Sequence, residues 1–118
     1  MSQDTVMTKG RLAGLRALQR EVKRTRERIA ELENSGAKRQ GRLQKLYNAL
    51  DNYLCEISKE SDAVLKYIMD IEDVTVREIF MLRYYDGIGT WQKIAFEMGE
   101  FDESFVRRKL NAYLRKIK

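Results

Sequence analysis

Thr90-Trp91-Gln92-Lys93-Ile94-Ala95, then Met98-Gly99, then Asp102-Glu103-Ser104-Phe105-Val106-Arg107-Arg108 is the stretch from which the fold is read. Thr90 has the side chain of a helix N-cap, and Ile94, Ala95 and Met98 follow at helical spacing, so a short helix is predicted from Trp91 to Met98. Gly99 is the residue that most readily takes the left-handed conformation at a tight turn. Asp102 caps a third helix whose inner face is Val106, Leu110, Leu114 and Ile117. Ala95 is small enough for a close helix crossing.

Upstream, Thr75 followed by Glu78 has the pattern of a capping box, which predicts a helix running to about Tyr85 with Ile79, Phe80 and Leu82 as its apolar content. Gly87 supplies its stop. Residues 74–118 therefore read as a three-helix head. A short helix, a turn beginning with glycine and a longer helix with polar and basic residues outside is the arrangement that places a helix in the DNA major groove. Its outward residues are Ser104, Arg107, Arg108 and Asn111. Phe105, near the start of the same helix, is also a candidate, since apolar contact reads a thymine methyl; packing within the head is the favoured alternative.

Residues 1–60 read as a basic helical arm. The first eight residues are polar and unpatterned, and fraying is expected there. Leu12, Leu15, Leu18, Val22, Ile29 and Leu32 then recur three and four apart, with Thr25 in the seam, and the opposite surface carries Arg11, Arg16, Arg20, Lys23, Arg24, Arg26 and Arg28. Asn34-Ser35-Gly36 interrupts this pattern, and Leu43, Leu46, Leu50, Leu54 and Ile57 resume it. The two stripes suit an antiparallel hairpin with a turn near 34–36, or one long helix that pairs with another chain; the hairpin is preferred. Residues 61–73, with Val64, Leu65, Ile68 and Ile71, read as a connecting helix.

The fold class is thus all-α, an N-terminal helical hairpin or coiled coil followed by a small C-terminal helix-turn-helix bundle. Composition agrees, since 118 residues include no proline and only seven glycines.

Charge and chemistry narrow the function. Lys and Arg total 23 against 18 Asp and Glu, a net charge of +5, which favours an anionic partner. The arm carries thirteen Lys/Arg against eight Asp/Glu, giving +5, and the stretch from Asp73 onward nine against seven, giving +2. The arm is accordingly a candidate source of extra phosphate contacts, or a plain charged exterior. With no histidine and a single cysteine, Cys55, neither a Cys/His zinc site nor an intramolecular disulfide is expected. Cys55 is read as a buried structural residue because it adjoins Leu54 in the apolar pattern. No cofactor and no catalysis are expected, for the chain has no histidine, no cysteine pair, no phosphate-cradling glycine loop and no obvious buried carboxylate pair. Without a signal peptide pattern or an apolar run of membrane-spanning length, a cytoplasmic location and no membrane partner are expected.

Arg83-Tyr84-Tyr85-Asp86-Gly87, Thr90-Trp91-Gln92-Lys93-Ile94-Ala95, Met98-Gly99 and Val106-Arg107-Arg108 resemble sigma factor region four. A helical extension followed by such a head looks like the small phage-encoded transcriptional regulators of the RinA and ArpU kind. The resemblance implies that the third helix reads duplex DNA through Ser104, Arg107, Arg108 and Asn111, that Trp91, Ile94, Ala95 and Val106 are core, and that RNA polymerase is a candidate partner. Lys93, Asp102 and Phe105 depart from the usual pattern, so no base preference follows. The alternatives are a small terminase-like packaging subunit and a protein-docking module that binds polymerase without reading DNA. A homodimer or higher homo-oligomer through the N-terminal helices is a further expectation.

Overall fold

The computed structural model describes residues 6–35, 40–100 and 102–117. It is all-helical, with α1 Lys9–Asn34, α2 Gln40–Met69, α3 Val74–Phe80, a π-helical continuation Met81–Tyr85, α4 Trp91–Glu97 and α5 Glu103–Leu114.

The arm is a hairpin. α1 and α2 pack against each other, tied near the open end by the Arg11–Glu60 ion pair and at the far end by the Tyr47 hydroxyl donating to Glu33 Oε2 at 3.0 Å. Val22, Thr25 and Ile29 are buried in the seam, with Thr25 only 2% exposed. α1 ends with Ser35 donating from its amide to Glu31 O and from its hydroxyl to Leu32 O. Gly36, the other part of the expected turn, lies outside the described residues.

Three local expectations are corrected. Met7 is buried, because the chain enters α1 through the Thr8 cap, whose hydroxyl accepts from Arg11 N at 3.1 Å, and turns Met7 into the core. Cys55 is exposed and Leu54 is 38% exposed. On the arm portion of α2 the half-buried positions include Leu43, Leu46, Leu50, Tyr53 and Ile57, so Tyr53 takes the place in the seam that the apolar count gave to Leu54. Arg11 and Arg16 are half-buried instead of lying on the open basic surface, because both reach other elements of the fold.

α2 runs unbroken past residue 60 to Met69, and its last two turns bury Val64 and Ile68. These join Leu12 and Leu15 of α1 and Val76, Ile79, Phe80, Ile94, Val106 and Leu110 in one apolar core. The base of the arm and the head therefore share a core. Fully buried Phe80 is its centre, with the rings of Tyr84 at 5.2 Å, Tyr113 at 5.3 Å and Tyr67 at 6.2 Å between centroids. Burial, and then the hydrogen bond to Tyr113, raise the pKa of Tyr67 well above that of a free phenol.

In the head, α3 begins at Val74, two residues earlier than a Thr75 cap implies. Asp73 is the cap, its Oδ1 accepting from Thr75 N at 2.9 Å and Val76 N at 3.2 Å. The helix still reaches Tyr85, its last turn widened to π geometry by Asp86 N donating to Met81 O. Among the described residues, no helix is long and apolar enough to cross a membrane.

Candidate nucleic-acid interface

The turn between α4 and α5 is held by local hydrogen bonds at both ends. Thr90 Oγ1 accepts from Lys93 N at 3.3 Å to start α4, and Glu100 N donates back to Ala95 O at 2.8 Å to close it. Gly99 stands at φ +74°, the left-handed value that a side chain disfavours. Asp102 Oδ1 accepts from Ser104 N at 2.9 Å to start α5. Ile94 and Ala95 of α4 are buried, as are Val106 and Leu110 of α5. With these inner faces set, the remaining faces of α5 turn outward.

On α5 the structure brings Ser104, Arg107, Arg108 and Asn111 to one exposed surface. The side chains of Arg107 and Arg108 are 47% and 73% exposed. Both have an acidic neighbour: Arg107 Nη2 lies 3.1 Å from Glu103 Oε1, and Arg108 Nη2 4.0 Å from Asp102 Oδ2. Phe105 is separated from this set, half-buried and packed against the core. Lys109, also on α5, is drawn away to Asp73 Oδ2 at 3.7 Å. A cleft of about 530 Å³ between the end of α2 and α5 mixes Asp70, Glu72 and Asp73 with Lys109 and Lys116, so it has no single charge with which to draw an anion or a cation.

Trp91 is half-buried at the edge of the core, where the Arg83 guanidinium lies 4.3 Å and that of Arg107 5.9 Å from the ring centroid. Arg83 also donates to Gly89 O at 3.0 Å. From the arm, Arg16 Nη1 donates to Arg83 O at 3.1 Å and to Ile88 O at 3.4 Å. Gln19 Nε2 donates to Tyr84 O at 2.7 Å. These main-chain oxygens sit at the end of a helix and in the loop after it, where intrahelical partners run out, and α1 supplies the missing donors. Burial, then the charge of Arg20, lowers the pKa of Arg16. Burial, then the charge of Arg16, lowers that of Arg83.

The sequence reading found the α5 residues but not the Arg16–Arg83–Trp91 assembly. Arg16 and Arg83 stand 67 positions apart, and the one local signal was that Arg16 and Arg20 fall one turn apart on the same helix. Among the described residues, no group of three or more His, Cys, Asp or Glu is arranged to hold a metal. Compared with models of known protein families, with curated proteins and with solved structures, the chain has no match.

Proposed function

We propose that this protein binds double-stranded DNA sequence-specifically by placing α5 in the major groove. The observation that carries the reading is the α4–turn–α5 geometry: a capped helix, a left-handed glycine and a second capped helix whose outer face offers Ser104, Arg107, Arg108 and Asn111 together. Guanidinium and amide groups are the side chains that pair with guanine and adenine edges in that groove, and the hydroxyl of Ser104 suits a phosphate or a base. The resemblance to sigma factor region four extends the proposal to a phage-type transcriptional regulator that also contacts RNA polymerase.

A second reading, docking onto a protein without reading DNA, draws on Phe96, which is 79% exposed on α4, and on the carboxylates of Glu103 and Asp102 beside the two arginines. An exposed aromatic ring is a typical anchor at a protein interface.

Fluorescence anisotropy with duplex fragments at two salt concentrations separates the readings. Sequence reading requires that preferred duplexes stay bound at the higher salt and that Arg107→Ala/Arg108→Ala lose the preference. Failure of the wild-type protein to bind any duplex, with polymerase capture that Phe96→Ala abolishes, establishes the docking reading instead.

A further inference from the structure

We propose that Arg16, Arg20 and Arg83 form a phosphate clamp where arm meets head, holding the backbone of the same duplex that α5 enters. The inference rests on the duplex-binding reading and adds to it a site on the arm.

Three observations carry it. First, these cations are gathered without a counter-charge. Arg16 and Arg20 lie one turn apart on α1, and Arg16 Nη1 crosses the arm–head junction to donate to Arg83 O at 3.1 Å, which brings the positive charges of the arm beside that of Arg83. No carboxylate pairs with Arg16, Arg20 or Arg83 among the described residues, whereas Arg11, Arg24, Arg107 and Arg108 all have one. Like charges held together are destabilising until an anion joins them.

Second, the cluster is held in place. Arg16 is anchored on two main-chain oxygens, and Arg83 on Gly89 O and the Trp91 ring. Anchored guanidiniums lose less freedom on binding an anion than free ones do, and their fork geometry matches two phosphate oxygens. Third, the cluster is continuous with α5, since the ring that carries Arg83 also carries Arg107. That continuity favours a polymeric phosphodiester, which can occupy the arm cluster and the α5 face at once, over an isolated phosphate ion.

The measurement is the salt dependence of duplex affinity for the full chain, comparing wild type with Arg20→Ala, Arg20→Lys and Arg28→Ala. Arg20 is exposed and hydrogen-bonded to nothing among the described residues, so its removal leaves the fold intact; equal thermal melting confirms this. Arg28 is an exposed arginine nearer the hairpin turn and serves as a charge-matched control.

The clamp predicts that Arg20→Ala weakens preferred and random duplexes alike, several-fold at low salt, and flattens the slope of log affinity against log salt by about one unit. Arg20→Lys restores most of that slope, and Arg28→Ala changes it little. Equal effects of Arg20→Ala and Arg28→Ala overturn the clamp, leaving only the general charge of the arm. A wild-type slope in Arg20→Ala overturns it as well, while the duplex reading stands. Absence of duplex binding by the wild type overturns both.

Discussion

Gln19 Nε2 reaches from α1 to the main-chain oxygen of Tyr84 at 2.7 Å, and its side chain lies where a Cβ on Gly87 would stand only 3.1 Å from it. Arm and head therefore meet through a side chain seated over a glycine. Gly87 is required for two separable reasons, its φ of +74° and the Gln19 side chain above it. Gly99 shares the same φ but has open space around it. Left-handed backbone costs an alanine about 1–2 kcal/mol, so Gly99→Ala is expected to destabilise by about that amount. Gly87→Ala is expected to cost more, because Gln19 must also move. Gln19 Oε1 is buried with no hydrogen-bond partner among the described residues, so truncating Gln19 removes an unsatisfied acceptor along with a useful donor. In a double-mutant cycle, Gly87→Ala/Gln19→Ala is therefore expected to cost less than the sum of the single changes by about 0.5 kcal/mol or more. Strict additivity in denaturant titrations would show that the contact is not felt.

The shared core makes a second prediction about which truncations hurt. Leu110 is 1% exposed amid α3, α4 and α5 contacts, so Leu110→Ala is expected to cost about 2–5 kcal/mol through the cavity it leaves. Trp91 is half-buried, with a face given to Arg83, and its truncation is expected to cost less than that of Leu110. Reversal of this order in thermal melting would mean that the inner face of the head lies on Trp91.

Asp73 gives a pH prediction. Its pKa is held below the ordinary 3.8 first by the hydrogen bond from Val76 N; burial opposes this, and Lys109 and the amide of Thr75 add smaller lowering effects. A carboxylate whose folded pKa is depressed contributes stability that is present above its unfolded value and lost as pH falls through the folded one. Asparagine keeps the capping oxygen but not the charge. Asp73→Asn is thus expected to melt lower than wild type near neutral pH, with the gap closing as pH falls below 3.8. A gap independent of pH would assign the loss to packing and not to charge.

The parts of the fold that the sequence made legible are the local ones. Thr90, Gly99 and Asp102 each act on residues within a turn of themselves, and Val106 and Leu110 bury themselves at simple helical spacing. Sequence pattern alone picks the wrong residue where a nearby one satisfies the same pattern, Thr75 for the cap and Leu54 for the stripe. Asp73 and Thr75 both suit an N-cap, and the oxygen of Asp73 is the one that meets the free amides. Tyr53 and Leu54 are both apolar, and periodicity alone does not choose between their faces; packing against α1 does. The docking of Arg16 and Gln19 on the end of the π turn was not legible at all. It depends on tertiary closure between segments more than 60 positions apart and leaves no mark on the spacing of either segment. The candidate site divides in the same way, its α5 half being readable from one helix and its arm half only from the assembled fold.

On the duplex-binding proposal, the ion pair between Arg107 and Glu103 governs how tightly the head would hold DNA. The pair is one turn apart on α5 and largely exposed, a type worth only about 0.2–0.5 kcal/mol to the helix. Glu103 also favours the positive end of the helix dipole, a further small gain. Against these, a duplex in contact with this face would be opposed twice by Glu103, which occupies the Arg107 guanidinium and would place a carboxylate near phosphates. On the duplex-binding proposal, Glu103→Gln is expected to lower thermal stability slightly and to tighten duplex binding several-fold. The gain should be largest at low salt, where repulsion is least screened. If Arg107 reads a base, Arg107→Ala in the Glu103→Gln background should lose more affinity for preferred duplexes than for random ones. Anisotropy titrations in which Glu103→Gln binds every duplex as the wild type does would mean that Arg107 stays clear of DNA and that the helix enters the groove by another face.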